Sequence, residues 1–409
     1  MRRVVVTGIG GVSALGDSWE AFEAGLRAGR NAVRVMPEWD RYEDMGTRLA
    51  APVEYFQPPA HWTRKQLRSM GRVSQLAVRS AELALKDAGL LGDPELGDGR
   101  LGVACGSSVG STPDIRDFAD MLTTGKSTGL NANSYVRMMP HTTAANIGIF
   151  LGLTGRIIPT SSACTSASQA IGYAYEAIRF GRQEVMLAGG AEELCPSQAM
   201  AFDMLYATSR QNDTPLLVPQ PYDRDREGLV IGEGAGMLLL ETLAGARARG
   251  ARIHAELVGF ASNSDGTHVT RPSEHTMRRV MELALADAAL APAAVGYVNG
   301  HGTATEQGDI AETQATVHVF GSRMPISSQK SYLGHTMGAC GALEAWIAIE
   351  GMNREWFPPT INLRNVDPRC GELDYIAGGG RSISTEYVMS NNFAFGGVNT
   401  SLIFRRIAS

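Results

Sequence analysis

The chain has too few cysteines to be organised by them. There are five in 409 residues, scattered without the paired spacing of a metal site. That excludes a disulfide framework and a zinc motif. No uninterrupted apolar stretch reaches membrane-spanning length. Positive charge is not in excess either: the formal net charge is −5, which argues against bulk nucleic-acid binding. No His-x-His or His-Glu-x-x-His run is present. The glycines at Gly8-Ile9-Gly10-Gly11-Val12 lack the third member of the dinucleotide fingerprint, because position 13 is serine. They are read as a tight turn after a first strand. The same short apolar run, Val4 to Val6, goes straight into glycine, unlike a secretory signal. The expectation is a cytoplasmic protein with no nucleic-acid or membrane partner.

With 44% apolar residues, the chain can bury a large core, as one large domain or two fused halves. Helical patterns are expected near residues 18–30 and over Val73–Leu90, and a strand over Leu101–Ala104. The order of elements then recurs. Glu282-Leu283-Ala284-Leu285-Ala286-Asp287-Ala288 nearly copies Glu82-Leu83-Ala84-Leu85-Lys86-Asp87-Ala88. Each copy precedes an apolar strand and a glycine-rich turn. Met324-Pro325-Ile326-Ser327-Ser328, leading to a helical pattern over Gly341–Ile349, likewise parallels the approach to Cys164 and the helix after it, and two such matches in the same order argue for a duplicated α/β unit. The halves are placed at 1–250 and 251–409, with the break between a helix near Leu240–Arg249 and a strand near Ile253–Val258. Residues 31–60 read as an irregular excursion.

One stretch stands out chemically. Cys164 follows an apolar segment ending at Ile158 and precedes a helical pattern through Ala170, Ile171, Ala174 and Ile178. A cysteine at a helix start meets free N–H groups and the positive end of the dipole, which lower its pKa. The second half supplies Gly300-His301-Gly302-Thr303-Ala304-Thr305 and Lys330-Ser331-Tyr332-Leu333-Gly334-His335. Both histidines stand among glycines, where backbone and ligand approach closely. A metal pair would need a third ligand that no motif supplies. A cysteine nucleophile with two histidines acting on developing negative charge fits better.

The Ser-Ser-Ala-Cys164 context, the Gly-His301-Gly-Thr-x-Thr run, the Lys330-to-His335 run and Asn392-Phe393-Ala394-Phe395-Gly396-Gly397 together resemble the elongating β-ketoacyl-acyl-carrier-protein synthases. The resemblance runs from Arg3 to Phe404 and is closest to the bacterial type I branch. It implies a thiolase fold of duplicated αβαβα halves and a dimer with itself or with a related subunit. It also implies decarboxylative condensation of a Cys164-bound acyl group with malonyl-acyl carrier protein. In that scheme no cofactor is bound permanently, and the substrates arrive on the carrier protein's phosphopantetheine. His301 and His335 would stabilise the enolate, and Lys330, paired with Glu312, would hold the histidine region. Phe395 would gate the entrance and donate an oxyanion N–H together with Cys164. Thr303 and Thr305 would contact the pantetheine arm, the bland alternative being turn capping. Val109, Met138, Phe202, Ala394 and Phe395 would shape the substrate pocket. Lys65 and Arg68, in a basic face with Arg64 and Arg72, would meet the acidic carrier protein, with Lys126 or Arg137 as the alternative patch.

Two other classes share these features in part: an acyl-thioester hydrolase using the same cysteine, and a carrier-docking subunit that does little chemistry. The latter would lack the nucleophile. Cys340, where the family has a small residue, reads as helix packing. One departure touches the gate. Alanine stands at 394 where the family motif has glycine, so a left-handed backbone there would cost about 1 kcal/mol. With Val109 and the Tyr135–His141 loop, this suggests an unusual acyl substrate, such as that of a secondary pathway building polyenes.

Overall fold

In the computed structural model, which describes residues 1–407, eleven strands form one mixed sheet. They are β1 (Val4–Ser13), β2 (Leu101–Gly106), β3 (Ile157–Thr160), β4 (Val185–Glu192), β5 (Gly234–Thr242), β6 (Ala255–Ser264), β7 (Val295–Asn299), β8 (Pro325–Ser327), β9 (Asp374–Tyr375), β10 (Tyr387–Ala394) and β11 (Val398–Arg405). Their order across the sheet is β9-β8-β7-β10-β11-β6-β1-β5-β4-β2-β3. From the β6/β1 junction outward, the first half places its first, fifth, fourth, second and third strand in that sequence, and the second half repeats it once the added edge strand β9 is set aside. The junction itself is short, pairing Val4–Val6 with Ala255–Leu257.

Five helices complete the layers: α1 (Arg72–Asp87), α2 (Ser166–Arg179), α3 (Glu274–Asp287), α4 (Glu306–Phe320) and α5 (Cys340–Arg354). The largest core cluster joins α2 and α5 to strands of both halves, through residues such as Ala170, Ile171, Leu343 and Trp346. Separate clusters seat α1 on the other face of the first half and α3 on the other face of the second. The two halves of the one sheet thus enclose α2 and α5, with α1 and α3 on their outer faces, giving helix-sheet-helix-sheet-helix layers. α5 is buried on all sides from Cys340 to Met352, as its near-continuous apolar sequence requires.

The glycines at 8, 10 and 11 correct the sequence expectation: they lie inside β1, not in a turn. A Cβ on Gly8 would overlap the Ala84 carbonyl oxygen, one on Gly10 the Ser80 carbonyl oxygen, and one on Gly11 the Trp346 ring. They are bare because helices press on both faces. The copied helix ends have the same cause. Gly259 of β6 meets Ala284 and Ala288 as Gly8 meets Ala84 and Ala88. Asp87 accepts the Ile9 N–H at 2.9 Å, and Asp287 accepts that of Phe260 at 3.1 Å. Both strands shift register just before that N–H, so each aspartate satisfies a donor that a bulge has freed.

Two further expectations are adjusted. Residues 240–242 belong to β5, and the following helix is only Leu243–Ala248. Within 31–60, Arg34–Val35 and Leu49–Ala51 join Ile231–Gly232 in a small sheet. Finally, 3₁₀ turns at Ala163–Thr165 and Met337–Ala339 lead into α2 and α5 respectively, and their first residues share a left-handed backbone, φ 50° at Ala163 and 49° at Met337.

Candidate active site

Cys164 sits in the turn between β3 and α2, 4% exposed. His335, which follows the short helix Lys330–Leu333, places Nε2 2.9 Å from its Sγ. His301, just past β7, stacks edge-on to His335 with ring centroids 5.2 Å apart. Strand ends of the first and second halves thus meet over one sulfur. A cavity of about 340 Å³ opens onto all three and onto Phe202, Thr303 and Phe395.

Hydrogen bonding fixes the roles of both rings. His335 Nδ1 accepts the Met337 N–H at 3.3 Å. His301 Nδ1 faces the Lys330 ammonium at 3.1 Å and the Asn392 amide nitrogen at 3.3 Å. With each Nδ1 an acceptor, the proton of each neutral ring is on Nε2. Burial first, then the Lys330 charge, holds both histidines well below their ordinary pKa, with His335 adding to the effect on His301. Both rings are therefore neutral Nε2–H donors.

The same wiring opposes a metal. Cys164, His301 and His335 bring ligand atoms within 4.8 Å of one another, as do His301, Cys340 and Glu344. In the first group each imidazole offers a proton, not a lone pair, to the shared space. In the second the Lys330 ammonium already contacts both His301 Nδ1 and Glu344. These donor sets do not fit a cation.

The thiol departs from the expectation of a lowered pKa. Burial pushes it up to about 12, opposed by the Lys330 charge and by the backbone N–H groups of Phe395 and of Cys164 itself. Desolvation outweighs the helix start because the sulfur is walled in.

Lys330 pairs with Glu344, not Glu312. Glu312 instead accepts the N–H groups of His301 and Gly302 and so fixes the histidine turn from below. Glu344 also accepts from Asn392 at 2.7 Å. Sequence reasoning missed Glu344 and Asn392. The available signal for Glu344 was a carboxylate inside the otherwise apolar run Gly341–Ile349.

Phe202 and Phe395 rings lie 5.3 Å apart beside the cysteine. Ala394 ends β10, paired with Val398, and its φ is not positive. The left-handed residues of the loop that follows are Gly396 (φ 90°) and Gly397 (φ 73°), so alanine at 394 costs nothing in this conformation. Val109 and Met138 are half-buried and do not line the cavity. Val109 donates its N–H to Glu192. Arg64, Lys65 and Arg68 are exposed, without an ion pair among the described residues. Arg72 leaves that basic face to pair with Glu233, and Arg137 pairs with Asp114 at 3.2 Å. Lys126 is exposed. Cys340, the first residue of α5, donates its thiol to the Cys164 carbonyl at 3.2 Å, a packing contact.

Known proteins match along the whole chain. The family model described as beta-ketoacyl synthase, N-terminal domain, covers residues 1–246, and its C-terminal counterpart covers 254–364. A beta-ketoacyl synthase from Burkholderia phymatum STM815 superposes with a TM-score of 0.99 at 62% identity over 100% of both chains. A 3-oxoacyl-[acyl-carrier-protein] synthase 2 of Vibrio cholerae is 37% identical over 99% of each chain. A type II polyketide ketosynthase, solved with its acyl-carrier protein as AntDE:AntF, matches with a TM-score of 0.87 at 31% identity, over 99% of this chain and 100% of that one. Among the described residues no helix is long and apolar enough to cross a membrane.

Proposed function

The chain belongs to the beta-ketoacyl synthase family, and on that premise we propose how its residues join a Cys164-bound acyl group to a malonyl group on acyl carrier protein. Cys164 attacks the acyl thioester, and the carrier thiol leaves with a proton. The malonyl group then loses carbon dioxide, and the bonding pair moves onto its thioester oxygen as an enolate. His301 and His335 stabilise that oxygen through their Nε2–H groups. The enolate carbon attacks the Cys164 thioester, whose oxyanion meets the N–H groups of Cys164 and Phe395. Collapse expels the Cys164 thiolate and frees 3-oxoacyl-carrier protein.

One observation carries this reading: two neutral Nε2–H donors face one buried sulfur, 2.9 Å from the nearer of them. The same fact disfavours a hydrolase, since neither ring has a lone pair directed at the site to take a proton from water. Lys330, Glu344, Glu312 and Asn392 hold the donors. Thr303 and Thr305 take the pantetheine arm, and Phe202 and Ala394, which border the cavity, shape the acyl chamber.

Lys65 and Arg68 steer the carrier protein, which is supported by their exposure and lack of ion pairs. The free edge of β3, with Ile157 44% exposed near Ile149 (74%) and Tyr135 (54%) on the same half, supports a dimer. Intact-mass analysis after exposure to acyl-carrier protein tests the scheme. Cys164→Ala should abolish the acyl increment. His335→Ala should keep it while losing malonyl decarboxylation. An increment that survives the first change refutes the nucleophile.

A further inference from the structure

The turn that bears Thr303 and Thr305 is held in an uncommon way. Thr305 is the N-cap residue of α4, yet its hydroxyl makes no capping bond. It lies 2.9 Å from the Thr303 hydroxyl instead. A Cβ on Gly308 would crowd both hydroxyls, so that glycine keeps their side of the helix open. Between the threonines, Ala304 has φ 65°, a left-handed conformation that a side chain resists. A threonine that does not cap, beside a strained alanine, needs an outside support.

Arg226 and Asp309 give that support. The Arg226 side chain is 1% exposed. Its Nη2 donates to the Glu306 carbonyl at 2.9 Å and its Nε to that of Thr305 at 3.4 Å. Its Nη1 donates to the Asp223 carbonyl and to Asp367, each at 2.7 Å. Asp309, 3.4 Å from Nε, accepts the Ala304 N–H at 3.1 Å and the Tyr222 N–H at 2.7 Å. The buried pair therefore grips the strained residue from both sides, by the N–H of Ala304 and by the carbonyls just after it. Arg226, Thr303 and Thr305 all border the cavity that reaches Cys164.

We propose that Arg226 is a positioning residue for the pantetheine arm: it holds Ala304 left-handed so that the Thr303 and Thr305 hydroxyls stay free for the arm and do not cap α4. This rests on the condensing function proposed above. The guanidinium is needed because one group must reach three carbonyls; an ammonium cannot.

The test compares two acyl donors for Cys164: hexanoyl-acyl carrier protein, and the phenyl thioester of hexanoic acid, which has no arm. In Arg226→Gln, half-saturation by the carrier-borne donor should rise at least tenfold, while acylation by the phenyl thioester stays within twofold of wild type. Ala304→Gly, which removes the conformational resistance, should recover most of that loss in the Arg226→Gln background. A role in folding alone would not produce this rescue. Should Arg226→Gln fail to fold, Arg226→Lys and Asp367→Asn should show the same split. Equal losses with both donors in a folded variant, or an unchanged carrier half-saturation, would overturn the role of Arg226. Wild-type protein that accepts an acyl group from neither donor would overturn the condensing function itself, and this inference with it.

Discussion

Lys330 and Glu344 are 2% and 3% exposed, and Glu344 holds the ammonium above its ordinary range against burial. Removing one charge of such a pair strands the other, at roughly 3–5 kcal/mol, whereas replacing both is often neutral. Lys330→Met should therefore lower the denaturant midpoint sharply. Lys330→Met with Glu344→Leu should regain most of the stability yet not condense, because His301 Nδ1 loses its ammonium partner and Asn392 its carboxylate anchor. A condensing double variant would refute the positioning role. The sulfur gives a second prediction. With the thiol pushed up to about 12 by burial, only a small fraction is thiolate at neutral pH. Alkylation of Cys164 by iodoacetamide, followed by mass, should climb steadily from pH 6 to 9, and a plateau already at pH 7 would contradict the burial argument. At this scale the sequence was legible where glycines and motifs flag a residue: Cys164, His301, His335, Lys330 and Glu312 converge. It was illegible for partnerships. Lys330's carboxylate lies fourteen positions on, in a different helix from Glu312, and only the packing of α5 reveals it.

Between elements, the loop that joins β10 to β11 has its positive-φ residues at Gly396 and Gly397. A Cβ on Gly396 meets open space but an unfavourable φ, worth about 1–2 kcal/mol. Gly396→Ala should thus weaken the conformation that aims the Phe395 N–H at the sulfur, and slow single-turnover condensation about tenfold. Ala394→Gly, in extended strand, should change it less. The reverse order of effects would mean that position 394 turns left-handed in another conformation of the loop. The sequence located this loop but not its strained residues, because a glycine-containing run does not say which member bends. The Gly8–Gly11 run was misread for a related reason. Glycine signals a turn and a close approach alike, and here helices press on a strand from both faces.

Across the whole molecule, the duplication was readable in the copied helix ends, while the shared sheet was not, because the β1–β6 pairing leaves no pattern in either segment. The halves are also joined by charge. His254, at the start of β6, lies 2.7 Å from Asp87 of α1 and 3.6 Å from Glu350 of α5. The contacts are close enough for ion pairing, though His254 makes no well-directed hydrogen bond, so the pairing is electrostatic. Burial lowers the imidazole pKa, but Asp87 and Glu350 outweigh it and raise the value above 6.5. The two carboxyls are held below their usual values by His254 in spite of burial. A raised histidine stabilises fully below its unfolded pKa and loses that contribution as pH climbs through the folded one. The lowered carboxylates lose theirs as pH falls through their folded values. The pairing should therefore be strongest between about pH 4.5 and 6.5. Urea midpoints of wild type and His254→Gln should differ most in that window and draw together as pH rises above it. A constant difference would refute the linkage. The paired 3₁₀ turns carry a further consequence. Aligning Ala163 with Met337, the two left-handed residues, sets Gly338 opposite Cys164. A side chain at Gly338 would strike Glu192 and the Ser108 backbone, and its N–H is already bonded to Glu192 at 3.0 Å. The fold thus keeps a vestigial twin of the nucleophile's seat, plugged by a carboxylate, and each chain is confined to a single reactive thioester at a time.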